Sequence, residues 1–364
     1  MNGKPHGIST PHGISTPQTS MERVLTAMSH KEPDRVPLFL LFSLYGAKEL
    51  HMSVKEYFER AENVVGAQLL MREKYRNDCY NNFFYASIET EAFGSESVFV
   101  ENGPPNAGVP VLDSIEDVFH LEPPAVDESP GLKRVLLVTE MLKERVGDQA
   151  PIIGVAVSPF SLPVMQIGFE KYLEMIYFRK EAFERLMKVN EAFCVAWANA
   201  QLAAGATAIC YFDPLASPTV IEKEVYMKTG YPVAKRTIAK IKGATATHLA
   251  SGIAFPVVNE IFQTGTAALG FGSVEDAAAL KKEARGKVCL IGNLNALDMV
   301  RWTREQTRQT VKALIEHVAE GGGFILSDSH GEIPWQVPEE VLLEVSEAVR
   351  LYGTYPLKRG DDHA

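Results

Sequence analysis

The sequence has few cysteines, no cluster of basic residues and no long apolar run. Its four cysteines are scattered without a CxxC pair, which gives neither a disulfide framework nor a thiolate zinc site and makes the cytoplasm, a reducing compartment, the expected location. A net charge of −10 without a long Lys/Arg cluster argues against nucleic acid or an anionic membrane as a partner. No apolar stretch approaches the ~20 residues that cross a bilayer.

The sequence also lacks a glycine-rich phosphate-binding loop. Its one cluster of consecutive glycines, at residues 321–323, precedes a short apolar run and does not open a helix. Such a cluster is typical of a tight turn from a helix into a strand. A doubly wound sheet usually carries a glycine fingerprint after its first strand, so the sequence disfavours that fold.

The chain does have a regular alternation of short apolar runs with amphipathic segments. With 364 residues and 46% hydrophobic content, it could bury the core of one large barrel or of two ordinary domains. Eight runs are predicted strands, at residues 38–42, 79–86, 152–157, 207–212, 244–249, 267–271, 288–291 and 324–326. Eight strands, each followed by a helix, favour an α/β fold, the (β/α)8 TIM barrel. We expect a single domain with an N-terminal helical extension and an insertion after strand 2.

Several amphipathic segments are long enough to predict unbroken helices. These cover residues 54–75, 162–178 and 221–240. Residues 87–149 form a longer excursion, for which the sequence predicts a small hairpin followed by a helix over residues 132–146.

The start of the chain differs from the rest. PHGIST occurs twice in tandem, from Pro5 and from Pro11, without apolar periodicity or a signal-peptide hydrophobic region. Residues 1–20 are therefore predicted to be a disordered leader or a cloning remnant, and residues 21–364 to form the barrel.

Polar residues follow several predicted strands, where barrel enzymes carry their active sites. The last strand leads into Asp328, His330 and Glu332, and the fifth contains His248 near its end. Two histidines at two strand ends would meet at one mouth of a barrel. The bland alternative is that Asp328 is a turn residue and His330 a solvated loop residue. Asp213 and Asn293 also follow strands and would fall on the same face.

From Met21 to Leu357 the chain resembles the uroporphyrinogen decarboxylase superfamily, and within it the cobalamin-dependent methyltransferase branch. The similarity lies in the order and spacing of short motifs. They are Arg23, Asp34-Arg35-Val36-Pro37, Ser158-Pro159-Phe160, Asp213 with Ala216-Ser217, His248, Gly252, Gly292-Asn293 and the stretch from Gly322 to Gly331. The resemblance implies a TIM barrel with its site at the carboxyl ends of the strands.

The decarboxylases of this superfamily carry an arginine-rich motif after the first strand, which holds the carboxylates of the substrate. Residues 40–45 of this chain read LLFSLY, without arginine. A porphyrinogen substrate would find no arginine in this segment to bind its carboxylates. The resemblance therefore implies an activity other than uroporphyrinogen decarboxylation.

Thiol-methylating members of the branch hold zinc with a His-x-Cys pair after the fifth strand and a cysteine after the eighth. This chain keeps His248 but has Ala250 and His330 where the cysteines would stand. The resemblance thus implies that any Zn²⁺ would be bound by nitrogen and oxygen ligands. A zinc ion with such ligands is suited to polarising an ether or alcohol oxygen. The expected ligands are His248, His330 and Asp213, with Asp328 or Glu332 as alternative carboxylates. Glu89 and Glu91 are expected to be solvated.

The activity implied is that of a corrinoid-protein-dependent methyltransferase. The methyl donor would be a methoxylated aromatic, a phenyl methyl ether, and the acceptor a cob(I)alamin protein, so the reaction is an O-demethylation. The cobalamin would come from a separate corrinoid protein, because the chain has no Asp-x-His-x-x-Gly pattern. The expected catalytic residues are Asp213, His248, His330 and Glu332, and the expected substrate contacts are Tyr45, Phe212, Asn293, Asp328 and Trp335.

Alternatives remain open at this point. Each aromatic side chain in the predicted pocket could instead belong to the core. The enzyme could pass methyl from a methylcorrinoid to a pterin or a thiol, or take it from methanol or a methylamine. The chain could also be a non-catalytic binding subunit.

Overall fold

The computed structural model describes residues 17–357. Residues 1–16, most of the predicted leader, lie outside this range. Within it, the strands are β1 Leu38–Phe39, β2 Tyr80–Asn81, β3 Ser97–Val98, β4 Asn106–Ala107, β5 Ile152–Val157, β6 Ala208–Phe212, β7 Ala244–His248, β8 Ala268–Gly270, β9 Cys289–Leu294 and β10 Phe324–Asp328. All but β3 and β4 form one parallel sheet in the order β1-β10-β9-β8-β7-β6-β5-β2. The predicted (β/α)8 TIM barrel is confirmed.

Helices follow the barrel strands and surround them. They are α1 Ser20–Met28, α2 Tyr45–Glu49, α3 Val54–Glu59, α4 Ala61–Tyr75, α5 Ile88–Ala92, α6 Pro130–Val146, α7 Pro163–Ile167, α8 Phe169–Phe178, α9 Lys180–Ala203, α10 Lys223–Lys228, α11 Gly230–Ile238, α12 Val258–Phe262, α13 Ala277–Ala284, α14 Arg304–Val318 and α15 Glu339–Tyr352. The predicted hairpin in the insertion is the antiparallel pair of β3 and β4. Within residues 17–357, no helix has the length and apolar character needed to cross a membrane.

The three segments predicted as unbroken helices are each interrupted. The first breaks at Arg60, whose backbone is extended with φ −131° and ψ 129°. The second breaks at Gly168, where φ is +84°, a conformation that favours glycine. The third breaks at Thr229, with φ −121° and ψ −76°. Apolar residues continue across each break, so hydrophobic periodicity alone does not reveal it.

Hydrogen bonds from two side chains help close the barrel between β1 and β2. Asn77 accepts from the backbone N–H of Leu40 at 2.8 Å and donates to the carbonyl of the same residue at 2.9 Å. Asp78 donates its own N–H to the carbonyl of Leu38, and its carboxylate accepts from the Leu38 N–H at 2.8 Å. These contacts satisfy backbone groups that a longer β1–β2 ladder would otherwise pair.

Helix α1 covers the amino-terminal end of the barrel. Its first turn has a capping box between Thr19 and Glu22, and Arg23 reaches the buried carboxylate of Asp78 at 2.7 Å. Gln18 donates its backbone N–H to Asp34 at 3.2 Å. Gln18, Thr19 and Ser20, which belong to the predicted leader, therefore contact the fold. The capping box between Thr19 and Glu22 holds the start of α1 in place, because it satisfies backbone N–H groups that the helix itself leaves unpaired.

Most of the core lies between the sheet and the surrounding helices. In β6, Ile209 and Tyr211 point outward and are fully buried, whereas Ala208 and Cys210 point inward and are only partly buried. Large side chains of the helix layer, such as Trp197, fill the space outside the sheet. The sheet therefore presents its carboxyl ends on a rigid support, with its interior less tightly filled than its exterior.

Candidate functional site

His248 is the last residue of β7 and lies at the carboxyl end of the barrel. Its Nδ1 accepts a hydrogen bond from the backbone N–H of Ala250 at 3.0 Å. Ala250 adopts a φ of +52°, and this turn directs its N–H back to the ring. An accepting Nδ1 places the proton of a neutral imidazole on Nε2. The Nε2 atom is buried and has no hydrogen-bond partner within residues 17–357.

The His248 ring is neutral at physiological pH. Burial, and to a smaller extent the positive charge of His330, lowers the pKa of His248 to about 4. Solvent removal disfavours the charged form of any base, so the shift follows from the position of the ring. His248 therefore presents an N–H donor without a formal charge.

Strand pairing fixes the surroundings of this ring. The register places His248 beside Phe212 of β6 and Gly270 of β8. The rings of Phe212 and His248 stack with centroids 5.8 Å apart and planes 25° apart. A Cβ at Gly270 would lie 2.3 Å from Cδ2 of His248, a distance that excludes any larger residue while the ring stays in place. Phe212 and Gly270 thus hold the imidazole from two sides.

The loop after β10 is organised by Asp328. Its Oδ1 accepts from the Leu41 N–H at 2.9 Å, and its Oδ2 accepts from the N–H groups of His330 at 3.3 Å and Gly331 at 3.1 Å. Burial raises the pKa of this carboxyl to about 6, against the lowering effect of these N–H donors. Asp328 was expected to contact substrate, but its hydrogen bonds shape the loop.

His330 and Glu332 complete that loop. Nδ1 of His330 lies 3.1 Å from Oγ of Ser329, and burial lowers the pKa of this half-buried ring while the charge of Asp298 raises it. Glu332 accepts from the hydroxyl of Ser43 and from the Leu44 N–H. Burial raises the pKa of Glu332 to about 7, and the charge of Asp328 adds to the shift.

Asp213 does not join this group. Its Oδ1 accepts from the hydroxyls of Ser158 at 2.6 Å and Ser161 at 2.7 Å, while Oδ2 is buried without a partner in the described range. Burial raises the pKa of Asp213 to about 6. Burial, and to a smaller extent the charge of Asp213, raises the pKa of Tyr172 and Tyr226, which are buried among the helices. Because Phe212 faces the mouth, its neighbour in the chain faces the opposite side of the sheet.

The predicted zinc site is therefore not assembled. Within residues 17–357, no three or more His, Cys, Asp or Glu side chains are placed to hold a metal ion. His248 and His330 share the mouth, but the carboxylate expected to join them, Asp213, is held by serines on the helix side. The donor set does not fit a resident zinc ion.

The other predicted residues have mixed positions. Tyr45 is fully buried, and its hydroxyl donates to the Val337 carbonyl at 3.0 Å, so its expected role in a pocket was wrong because the ring packs in the core against Phe42 and Tyr75. Asn293 donates its amide to the Gly272 carbonyl at 3.0 Å. Trp335 packs half-buried against the core.

Glu89 also differs from its expected position. It was expected to be solvated, but it is buried and accepts from the Val157 N–H at 2.8 Å. Burial raises its pKa to about 8. The short β2 leaves backbone groups of β5 unpaired, and the Glu89 side chain satisfies one of them.

A small recess at the mouth is lined by the predicted His248 and Phe212 together with residues that were not predicted as site residues, such as Leu41, Asn81 and Val155. The recess has a volume of about 30 Å³ and is bordered by Leu41, Asn81, Phe83, Val155, Cys210, Phe212, His248 and Gly331. Residues 81 and 83 are two positions apart, as are residues 210 and 212. The alternation of a strand could have pointed to them. None of these residues carries a formal charge at neutral pH.

The chain is similar to known proteins over most of its length. The family model for uroporphyrinogen decarboxylase (URO-D) matches residues 19–352. Uroporphyrinogen decarboxylase of Xylella fastidiosa is 23% identical over 91% of this chain and 98% of its own length. The methylcobamide:CoM methyltransferase MtaA of Methanosarcina barkeri is 25% identical over 44% of this chain and 48% of its own length. A methyltransferase structure from Methanosarcina mazei superposes with a TM-score of 0.82 at 19% identity, covering 92% of this chain and 99% of that one.

Proposed function

Because the chain belongs to the uroporphyrinogen decarboxylase family, we propose that it uses the family's barrel for methyl transfer with a corrinoid protein. The proposed reaction moves a methyl group from an aromatic methyl ether to a cob(I)alamin protein. The observation that carries this proposal is the buried, neutral His248 with an unpartnered Nε2–H beside a recess whose lining residues carry no charge.

The lining of the mouth argues against decarboxylation of a polyacid. Recognition of several carboxylates needs cationic or bidentate donors. The recess beside His248 has no arginine or lysine among its lining residues. Leu41, one of these lining residues, lies in the segment where the decarboxylases have their arginine-rich motif. An uncharged aromatic donor matches this lining, with Phe83 and Phe212 available to contact a flat ring.

The chemistry needs a group that stabilises the departing oxygen. The corrinoid of a partner protein would supply the nucleophile that accepts the methyl group. As the methyl–oxygen bond breaks, its electron pair stays on the oxygen and a phenolate forms. His248 donates its Nε2–H to that oxygen, where negative charge develops. Glu332, with its pKa near 7, is the proton source in this loop for the leaving phenolate.

The residue types at the mouth favour methyl transfer from an ether to the corrinoid over methyl transfer to a thiol. A thiol acceptor is best activated as a metal-bound thiolate. Positions 250 and 330, where the thiol-methylating members hold zinc with cysteine, are alanine and histidine. The donor half-reaction from an ether needs only a hydrogen-bond donor and a proton source, the roles proposed for His248 and Glu332.

The experiment is a donor panel with free cob(I)alamin, followed as methylcobalamin formation by absorbance. Methoxybenzene and 2-methoxyphenol should react, whereas methanol and methylamine should not. His248→Ala should lower kcat about 10²- to 10³-fold, the usual cost of removing one such donor. The exposed His317 on α14 supplies the control His317→Ala, which should match the unmodified protein. Inertness towards every donor, together with failure to demethylate methylcobalamin, would leave a binding subunit as the better description.

A further inference from the structure

The interior of the barrel contains a large cavity beneath the proposed site. It has a volume of about 350 Å³ and extends from Val24 and Met28 of α1 to His248. TIM barrels normally fill this space with layers of bulky branched side chains. Here the layers are incomplete, and the reason lies in the sequences of three neighbouring strands.

The pairing register brings small residues together. Cys210 of β6, Ala246 of β7 and Ala268 of β8 are direct neighbours across the sheet. They form the row immediately below Phe212, His248 and Gly270. One row further down, Ala208 pairs with Ala244. These side chains are too short to reach across the barrel, so the space in front of β6 and β7 stays open. Ala268 of β8 also borders the cavity but is itself buried.

Burial along the strands supports this description independently. In β6 and β7 the inward residues Ala208, Cys210 and Ala246 remain partly accessible, whereas the outward Ile209 and Tyr211 are fully buried. A filled barrel would bury both sets. The accessible inner face shows that a molecule at least the size of water can lie against these strands.

The cavity is suited to an uncharged, apolar occupant. Its lining includes no aspartate, glutamate, lysine or arginine. Apolar cavities of about 150 Å³ stay dry and take up benzene or xenon, and this cavity is larger. A charged ligand would lose its hydration without gaining a partner.

The polar anchor of the cavity is His248. Leu41, Cys210 and His248 border both the interior cavity and the small recess at the mouth. The Nε2–H of His248 is buried without a partner in the described range. An ether oxygen could accept from this N–H while the rest of the molecule lies along β6, β7 and β8.

We infer that the barrel interior binds the aromatic body of the methyl donor, with its ether oxygen at His248 and its methyl group directed to the mouth. This inference rests on the proposed function for the identity of the ligand, but not for the existence of the binding compartment. The donor class it selects is an uncharged aryl ether. Carboxylated rings are excluded because the cavity has no cationic residue to pair with them.

The test measures binding apart from catalysis. Benzene and methoxybenzene are titrated calorimetrically into the full-length protein, and crystals are pressurised with xenon. Both compounds should bind, methoxybenzene more tightly, and xenon should appear between α1 and His248. Ala246→Val and Ala208→Val, which fill the cavity, should each weaken benzene binding at least tenfold. Ala278→Val on the exposed face of α13 is the matched control and should leave binding unchanged.

The outcomes separate the two proposals. Benzene binding that is lost in Ala246→Val, without methyl transfer from any ether, keeps the interior site and overturns the proposed function. Methyl transfer with the same KM in Ala246→Val, and no bound benzene or xenon, overturns the interior site and keeps the function. Thermal unfolding of each ligand-free variant checks that it is folded, since added methyl groups in an open cavity should not lower Tm.

Discussion

The backbone N–H of Ala250 donates to Nδ1 of His248 at 3.0 Å, and this bond determines which imidazole nitrogen carries the proton. With Nδ1 occupied as an acceptor, the neutral ring has its N–H on Nε2, at the boundary between the mouth and the barrel interior. By its resemblance to the thiol-methylating members, the chain was expected to have Ala250 in place of a cysteine zinc ligand. In this chain, the backbone of Ala250 orients the histidine.

The protonation state of His248 can be observed directly. Because burial lowers its pKa to about 4, we expect its ring to remain neutral at pH 5.5, protonated on Nε2. ¹⁵N–¹H NMR of protein labelled at histidine would show one nitrogen with a bound proton and one acceptor. His330→Ala should raise the pKa of His248, because the charge of His330 lowers it. A ring that titrates near 6.5 would contradict the burial argument.

Replacing Gly270 should disturb His248 more than its small size suggests. The Cβ of Gly270→Ala would lie 2.3 Å from Cδ2 and 3.0 Å from Nε2 of the ring, so the imidazole must move. We expect a loss of activity about as large as in His248→Ala, roughly 10²-fold or more. The measurement is kcat with methoxybenzene, together with the shift of the His248 NMR signal.

A second glycine supplies the control for this prediction. Gly66 lies in the exposed face of α4, and a Cβ there would have no heavy atom within 4 Å. Gly66→Ala should leave activity unchanged and should raise the free energy of unfolding by about 0.5–1 kcal/mol, because alanine restricts the unfolded chain. Equal activity losses in both variants would point to a general effect of the substitution and would contradict the contact with His248.

Removing Asp78 should destabilise the whole barrel. Its carboxylate is 1% exposed and pairs with Arg23 at 2.7 Å and Arg35 at 2.8 Å, while also accepting from the Leu38 N–H. Asp78→Ala would remove the buried carboxylate between two guanidinium groups. Arg23 would keep only Asp34, at 2.6 Å, as its ion-pair partner, and the Leu38 N–H would lose its side-chain acceptor. We expect a loss of about 3–5 kcal/mol in the free energy of unfolding, measured by urea denaturation.

The surface pair of Arg60 and Glu62 is the control for the Asp78 prediction. Its charged atoms are 3.6 Å apart and both side chains are exposed. Glu62→Ala should change the free energy of unfolding by at most about 1 kcal/mol. A similar small value for Asp78→Ala would mean that the closure of β1 against β2 does not depend on that carboxylate.

Glu89 should make the stability of the protein depend on pH. Its pKa is raised by burial to about 8, above the value of an exposed glutamate, so the unfolded chain releases this proton first as pH rises. The stabilisation from the protonated form is complete below about pH 4.5 and is lost as pH approaches 8. Relative to the unmodified protein, Glu89→Gln should be similar at pH 5 and more stable by roughly 3–5 kcal/mol at pH 9.

Urea denaturation at both pH values checks the Glu89 prediction. The exposed Glu181 at the start of α9 supplies the control Glu181→Gln, which should show no such difference between pH 5 and pH 9. A constant gap between Glu89→Gln and the unmodified protein would contradict the buried, protonated carboxyl.

The sequence predicted the barrel well because its strands differ clearly in pattern from its helices. It predicted the face of the site less well. Phe212 and Asp213 were both assigned to the mouth, although adjacent residues of an extended chain point in opposite directions. Applying that alternation would have removed Asp213 from the metal set. Tyr45 is a different case, because its burial depends on packing against Tyr75 and Val337, which no local pattern reveals.

The barrel cavity also could not be predicted from the pattern of residues within single strands. Small residues recur at every second position in β6 and β7, in the sequences AICYF and ATATH. Both faces of a barrel strand are covered by protein, so this pattern alone cannot tell which face is inward. The register with β8 decides it, and register is a property of the assembled sheet.

The proposed reaction should slow as pH rises above 7, because Glu332 loses its proton there. Glu332 has a pKa raised to about 7, chiefly by burial, and is about half protonated at neutral pH. If it supplies the proton to the leaving phenolate, kcat should be constant below about pH 6 and fall roughly tenfold for each pH unit above 7. Glu332→Gln cannot donate this proton, so its kcat should be lower and should lose that alkaline decline. A donor with an acidic phenol as leaving group needs less protonation and should be less affected by Glu332→Gln. His248 has a pKa near 4, so its ionisation cannot cause a decline in kcat above pH 7. An unchanged pH profile in Glu332→Gln would therefore assign the proton transfer to a group other than Glu332 and His248.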